Sequence, residues 1–571
     1  MVKVVSVEEM KAIEKATDAA GVSYAEMMQR AGGAVAEIVL RMVRDMPEAR
    51  VLVLVGPGNN GGDGLVAARI LAEQSDARVD AYLLKPREES DEVFTAARDA
   101  GVVISTADDD DGWQALRELA AGADIIVDAL LGTGARLPIE GRLQELLEQV
   151  AASLQRDASG SDDWDEEGLI WPAHPVSAPA RVPVVIAVDA PSGLNSDTGE
   201  LDPATIPADI TVTFAAAKYG QLTFPGASAV GQLVVADIGT PPDLAEMDSV
   251  QVELASGPGI ARLLPDRPAN AHKGTFGTVL AIAGSANYVG AVALLGEAAY
   301  RAGAGLVTLA VPASIYPMLA SQLREATWIL LPQDMGVISE DALRVLREEV
   351  GEGVNAVLVG PGLGQEEPTQ DFIRALFQGG RQSRRSRIGF GLRTDSDEEP
   401  IERAFAVDAP LIIDADGLNN LARLDEWWKL LPKQTVLTPH PGEMARLTGM
   451  TTEEIQARRF EIAAEKAKEW GAVVVLKGAH TLVAHPDGRV VVSPFATDAL
   501  ATAGTGDVLA GCIAGLVAQG LEPFDAAVVG VYLHGLAGQL AAEGTSTRST
   551  TAGDVLDMLP AALAMIETPG V

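Results

Sequence analysis

The most specific chemical signature in this chain is Gly504-Thr505-Gly506-Asp507, which opens a run of small residues that reads as a helix. Successive backbone N–H groups of Gly504, Thr505 and Gly506 suit an anion hole for a transferring phosphoryl group. Asp507, in the first helical turn, suits a base that takes the proton of an attacking hydroxyl. The plain alternative is an aspartate that caps its helix behind glycines that ease packing, although a cap needs no Gly-Thr-Gly run. Three further segments follow β-like runs: Lys477-Gly478-Ala479-His480-Thr481, Thr438-Pro439-His440-Pro441-Gly442-Glu443, and Gly360-Pro361-Gly362-Leu363-Gly364. Lys477 and the amides after it suit a nucleotide phosphate. His440 also reads as an ordinary turn histidine, and Glu443 as a helix-start carboxylate. No His and Cys spacing of a zinc site is present in the sequence.

The N-terminal half carries Gly56-Pro57-Gly58-Asn59-Asn60-Gly61-Gly62-Asp63-Gly64 between a strand-like run and a helix. Glycines let backbone approach a ligand, and a helix N-terminus offers free N–H groups, so the segment reads as a phosphate cradle with extra oxygens from Asn59, Asn60 and Asp63. Two other strand-like runs end in Asp128, followed by Gly132-Thr133-Gly134-Ala135-Arg136-Leu137-Pro138, and in Asp189-Ala190-Pro191-Ser192-Gly193. Each aspartate alone also reads as a cap or turn former. Together they bring polar residues to the carboxyl edge of one sheet, where open α/β folds bind ligands.

The elements that must hold these residues are legible in the hydrophobic pattern. Ser6-x-x-Glu9 and Ser23-x-x-Glu26 start two helices ahead of the apolar strand at 50–55. Strand-like runs at 77–84, 125–130 and 184–189 then alternate with helical segments at 64–75, 89–100 and 112–121, the signature of a doubly wound α/β domain. A second such pattern begins at 278 with strands at 305–311, 356–359, 411–413, 435–437 and 473–477, after a Pro/Gly-rich stretch at 239–264 that reads as an inter-domain linker. The stretches 151–182 and 379–400 lose periodicity and read as charged surface insertions. Arg381, Arg384, Arg385 and Arg387 in the second could bind phosphate but read better as a solvated loop.

With 43 Lys and Arg against 80 Asp and Glu, the net charge of −37 repels phosphate backbones and anionic lipids, which argues against nucleic-acid or membrane-surface partners. Glu297 and Arg301 interrupt the apolar stretch 291–310, so it is no membrane span. The lone Cys512 cannot form an intramolecular disulfide, and the first residues lack a signal-peptide core, so a cytoplasmic protein is expected.

Through Asn59–Gly64, Asp128 with Gly132–Pro138, and Asp189–Gly193, the first 240 residues resemble the YjeF N-terminal family, the NAD(P)H-hydrate epimerases. The resemblance implies a Rossmann-like three-layer α/β/α domain over residues 1–245. It implies that Asn59, Asn60, Gly61, Gly62, Asp63, Gly132, Thr133, Gly134, Ala135, Arg136, Leu137 and Pro138 hold a hydrated dinucleotide, with catalytic Asp189 at the reacting ring. It also implies a potassium ion on Asn60, Asp128 and Ser192, in keeping with the oxygen preference of hard cations. Arg136 stands where some relatives have lysine.

From about Pro258 to Met565 the chain resembles the YjeF C-terminal family, ADP-dependent NAD(P)H-hydrate dehydratases of the ribokinase-like α/β fold, which implies a second domain over residues 258–571. That likeness places ADP or AMP on Lys477, Gly478, Ala479, His480, Thr481 and Gly506. It places the hydrated dinucleotide on Ala291, Gly362, His440 and the catalytic Asp507. The fusion implies hydrated NADH and NADPH as substrates, ADP as co-substrate, magnesium wherever phosphoryl groups move, and a homo-oligomer. The alternatives are a vitamin kinase of the same fold, which would leave the N-terminal half without a purpose, or an N-terminal half that senses nucleotide without catalysis.

Overall fold

A computed structural model describes residues 1–155, 183–378 and 408–567. The arginine-rich stretch and nearly all of the insertion before Pro183 lie outside the described residues. The chain divides into two compact units, Val2–Val250 and Gln251–Val571, the second including Met1.

The first unit is built on a parallel sheet with strand order Val103–Thr106, Arg78–Leu83, Arg50–Val55, Ile125–Ala129, Val184–Val188, Ile210–Phe214 and Gln232–Ala236. Its central strands are apolar on both faces because helices cover both: Val51, Val53 and Val55 join one buried cluster with helix Tyr24–Val43, while Leu52 and Leu54 join another with helix Arg142–Gln155. Ser6 caps helix Val7–Ala19 in a full capping box with Glu9, as its spacing predicts. The glycine-rich segment differs from its expected form. It is not a loop ahead of a helix, because helix Asn59–Gln74 starts at Asn59 and takes Asn60 to Asp63 into its first turns.

In the second unit the parallel strands run in the order Thr327–Leu331, Leu306–Pro312, Thr278–Ile282, Ala356–Val359, Leu411–Ile413, Thr435–Leu437 and Val473–Leu476. An antiparallel pair, Leu482–Ala484 and Val490–Val492, extends this sheet, and Val252–Leu254 pairs in parallel with Val490–Val492. The stretch expected as a plain linker thus contributes a strand, a role that three residues flanked by prolines and glycines do not signal.

Helix Thr505–Ala518 lies against helix Val289–Arg301 with backbone nearly touching backbone. A Cβ on Gly511 would fall 2.2 Å from the Leu295 carbonyl oxygen, and one on Gly515 would fall 2.5 Å from that of Ala299. Cys512 is buried in the same helix, and burial pushes its thiol up to about 12. Gly511→Val should therefore destabilise the second unit by roughly 2–4 kcal/mol. In a urea titration the transition of that unit should shift to lower denaturant while that of the first unit stays in place.

Candidate active sites

In the first unit, the carboxyl ends of adjacent parallel strands deliver the polar groups. Gly56 must be glycine, since its Cβ would fall 1.9 Å from the Leu130 carbonyl oxygen. Arg87 donates through Nη2 to the carbonyls of Gly56 and Gly58, both at 2.9 Å, which fixes the entry to helix Asn59–Gln74. Asp189 takes a left-handed φ of +64°, unusual for a residue with a Cβ, and it is held there by the chain around it. Its N–H donates to the Val212 carbonyl at 2.8 Å, and Gln221 Nε2 donates to its carbonyl at 2.7 Å.

The Asp189 carboxylate is fully engaged. Oδ1 accepts from Lys218 Nζ at 2.8 Å and from the Thr213 hydroxyl at 3.1 Å, and Oδ2 accepts from the Thr133 N–H at 3.1 Å. Burial raises its pKa, but Lys218, Thr133 and Thr213 outweigh burial and hold the carboxyl below its ordinary value. Nearby Asp63 goes the other way: burial, then the charges of Asp189 and Glu14, push it well above its ordinary value. Glu14 is raised by burial and by Asp189, against Lys218 and Lys11. The group is one ionised carboxylate, locked to a lysine, among carboxyls that hold their protons more tightly than usual.

Asp128 and Ser192 meet beside it, the Ser192 hydroxyl donating to Oδ1 at 2.6 Å and its N–H to Oδ2 at 2.8 Å. Asp128 is 1% exposed, its partners are neutral, and burial raises its pKa. Asn60 Oδ1 and Asp189 Oδ2 both lie 3.0 Å from where a Gly132 Cβ would stand, and Asn60 Nδ2 is buried with no partner. The structure thus brings Asn60, Gly132, Thr133, Asp128, Asp189 and Ser192 together at one edge of the sheet, while Asn59, Gly134 and Arg136 are exposed. Leu137 and Pro138 are joined by a cis peptide.

Sequence reading missed Lys218, Thr213 and Glu14. The available signal was a single lysine just after a strand, where a buried position demands a partner.

In the second unit, Gly504 precedes helix Thr505–Ala518 at a φ of +95°, a backbone that glycine adopts freely. A Cβ there would also strike Leu294 at 2.7 Å. The Thr505 hydroxyl turns inward to the carbonyls of Leu500 and Thr502, so the helix N-terminus presents backbone donors rather than that side chain. Lys477 Nζ donates to Asp414 Oδ1 at 2.7 Å, lies 3.7 Å from Glu443 Oε2, and stands 3.5 Å from the Cβ position of Gly506. The Thr438 hydroxyl donates to the same Asp414 oxygen at 2.7 Å.

This cluster sets the acidities. Burial, then the Asp414 charge, raises Asp507 to about 7 against Lys477, with Asp416 and Glu443 adding to the rise. Glu443 is likewise raised to about 7 by burial and Asp414, against Lys477 and the His440 N–H. Burial works against the ammonium of Lys477, yet Asp414 and Glu443 raise its pKa. His440 caps helix Pro441–Thr448: its Nδ1 accepts from the Gly442 N–H at 3.0 Å, and burial, Lys477 and Arg446 lower its pKa, so it is neutral at pH 7.

His480 is committed to the fold, with its ring nitrogen Nδ1 3.0 Å from the Ser493 carbonyl oxygen. The Thr481 hydroxyl donates to the Gly478 carbonyl at 2.8 Å. Gly362, at a φ of +67°, faces Tyr288 and Ala291. Asp414 and Arg459 escaped the sequence reading. Asp414 directly follows strand Leu411–Ile413 as Asp189 follows Val184–Val188, while Arg459, whose Nη2 donates to the Leu476 carbonyl at 3.2 Å, has no local signal.

Lys218→Met would leave Asp189 buried without its cation and should cost about 3–5 kcal/mol at pH 7. In the parent the folded-state pKa of Asp189 is depressed, so its contribution is present above the unfolded value and is lost as pH falls through the folded one. In the variant the pKa is raised, and chemical denaturation should show the deficit growing as pH rises above about 4.

Residues 24–220 match the family described as YjeF-related protein N-terminus, and residues 279–380 and 384–561 match NAD(P)H-hydrate dehydratase. The chain is 38% identical to the bifunctional NAD(P)H-hydrate repair enzyme Nnr of Moorella thermoacetica, over 95% of this chain and 92% of that protein. It is 33% identical to the protein of the same name from Escherichia coli, over 95% of this chain and 90% of that one. Among solved structures it is similar to an ADP/ATP-dependent NAD(P)H-hydrate dehydratase from Bacillus subtilis co-crystallized with ATP/Mg2+, at 31% identity over 56% of this chain and 100% of that one, with a TM-score of 0.45. The chain belongs to the family of bifunctional NAD(P)H-hydrate repair enzymes.

Proposed function

We propose that the two units repair hydrated NADH and NADPH in two steps, the first epimerising the R and S hydrates and the second dehydrating the S form at the expense of ADP. The observation that carries this reading is Asp507 in the first turn of its helix, beside Gly504–Gly506 and close to Lys477. Hydration leaves a hydroxyl on C6 of the nicotinamide ring, a poor leaving group. Asp507 takes the hydroxyl proton as the oxygen attacks the β-phosphorus of ADP, and AMP departs. The first-turn amides hold the transferred phosphoryl group. The C6–O bond then breaks, a proton leaves C5, and phosphate departs as the 5,6 double bond re-forms.

Lys477, with Gly478, Ala479, His480, Thr481 and Gly506, lines the nucleotide side in this reading. Ala291, Gly362 and His440 line the side of the hydrated dinucleotide. The side chains of His480 and Thr481 are spent on their own turn, so their share of nucleotide binding falls to the backbone. Among the described residues no three His, Cys, Asp or Glu side chains converge as metal ligands would. In this reading magnesium arrives on the phosphates of the nucleotide, as it commonly does.

In the first unit, Asp189 is the acid/base group at the reacting carbon, and the Lys218 ammonium keeps it ionised between turnovers. Asn60 to Asp63 and Gly132 to Pro138 hold the dinucleotide. Potassium fits the residues present: Asp128 is a buried carboxylate with neutral partners only, and Ser192 and Asn60 supply neutral oxygens next to it. Bound there, the ion would supply positive charge toward the substrate phosphates. Cytoplasmic location and self-association rest on the family resemblance; no helix among the described residues is long and apolar enough to cross a membrane.

The decisive assay follows the return of dihydronicotinamide absorbance from an epimeric mixture of hydrated NADH. Complete recovery with ADP is expected, whereas no recovery with either ADP or ATP would send the reading back to a vitamin kinase. Asp507→Asn should abolish dehydration and leave epimerisation intact. It should not lower stability above pH 7, because a carboxyl raised to about 7 weakens the fold as it ionises. Below about pH 7 the parent rate should fall roughly tenfold per unit as Asp507 becomes protonated, and level off above it.

A further inference from the structure

Tyr288 is an aromatic side chain that neither the fold nor the chemistry above employs. It directly precedes helix Val289–Arg301, in the turn Ala283–Tyr288 that follows strand Thr278–Ile282, and its N–H donates to the Ser285 carbonyl at 3.1 Å. It is 53% exposed, in a chain that buries Tyr82, Trp113, Phe372 and Trp427 almost completely. Its surroundings are specific. A Cβ on Gly362 would fall 2.8 Å from Tyr288 Cβ and 3.2 Å from Ala291 Cβ, so the tyrosine rises from the turn that meets the Gly360–Gly364 loop. The turn is braced from outside by the Ala286 N–H, which donates to the Gly336 carbonyl at 2.9 Å in the hairpin of Gln333–Asp334 and Val337–Ile338. The Ser285 hydroxyl in the same turn is buried without a partner.

Helix Val289–Arg301 also fixes how far Tyr288 stands from the chemistry. Leu294, six residues on, touches the position where a Gly504 Cβ would be, 2.7 Å from Leu294 Cδ1. Six residues of helix rise about 9 Å. A tyrosine side chain and a six-membered ring whose hydroxyl sits at the Gly504–Asp507 turn together cover that gap, while an adenine two riboses and a pyrophosphate away lies beyond it. Resting on the dehydratase reading of Asp507, we propose that Tyr288 is the platform on which the hydrated nicotinamide ring stacks, and so a substrate-binding and specificity residue of the second site. Its exposure is then functional: a half-open aromatic face provides rigid contact area at small entropic cost.

Steady-state dehydration of hydrated NADH by the full-length enzyme, with ADP and magnesium, provides the test. Tyr288→Leu should raise KM for the hydrate roughly tenfold, leave kcat within about twofold, and leave KM for ADP unchanged. Tyr288→Phe and Tyr288→Trp keep a ring and should keep KM near the parent value. Hydrated reduced nicotinamide mononucleotide, which lacks the adenosine, should compete with hydrated NADH in the parent, with an inhibition constant that rises by the same factor in Tyr288→Leu. An unchanged KM in Tyr288→Leu, a rise in Tyr288→Phe as large as in Tyr288→Leu, or a mononucleotide that fails to compete or competes equally with both proteins would each overturn the proposal. Failure of the underlying reading would look different, because it would appear in the parent enzyme as absent ADP-dependent turnover.

Discussion

Both sites depend on a lysine buried among carboxylates. A carboxylate removed from water reverts to its neutral acid unless a cation or a set of donors compensates it. Lys218 does this for Asp189 at 2.8 Å, and Lys477 makes the corresponding ion pair with Asp414 at 2.7 Å. One ammonium satisfies one partner well, and the remaining acids nearby pay for their burial with raised pKa values. Each site consequently holds acids of unlike strength side by side: Asp189, held below its ordinary value, beside Asp63, raised well above its own, and Asp507 and Glu443, both raised to about 7, around the Lys477–Asp414 pair. Groups driven apart in this way can divide acid and base duties within a few ångströms.

The sheets place those charges. In both units the polar residues follow strands whose own side chains are buried on both faces, so the carboxyl edge is where the chain first meets polar surroundings. Close backbone contact then fixes the loops. Gly56 against the Leu130 backbone and Gly511 against the Leu295 backbone leave no room for a Cβ, and Gly504 is held by its positive φ with the Leu294 side chain against it, so these turns are set by rigid elements.

Much of this was legible in the residues. Strand-ending aspartates, Gly-Thr-Gly-Asp and the alternation of apolar runs with helical segments report local geometry, and local geometry is what sequence spacing encodes. What escaped was non-local. Lys218 meets Asp189 across 29 residues, and Lys477 meets Asp414 across 63, so neither pairing leaves a trace in periodicity. Residues 59–63 read as loop because their glycines and asparagines disfavour helix, yet the strand before and the packing of Gly32 and Gly64 draw them into the first turns. Val252–Leu254 is too short to show alternation and becomes a strand only because an edge is waiting for it.

Cys512, the sole cysteine of the chain, sits inside the helix that begins at Thr505, just after Gly504. A thiol that ionises only near pH 12 offers almost no thiolate to peroxide, to glutathione disulfide or to electrophiles, since those reagents react with the ionised form. The fold thereby keeps its one sulfhydryl out of thiol redox chemistry. Its complete burial in the helix withholds the sulfur from solvent as well, so the cysteine serves the packing of the second unit alone.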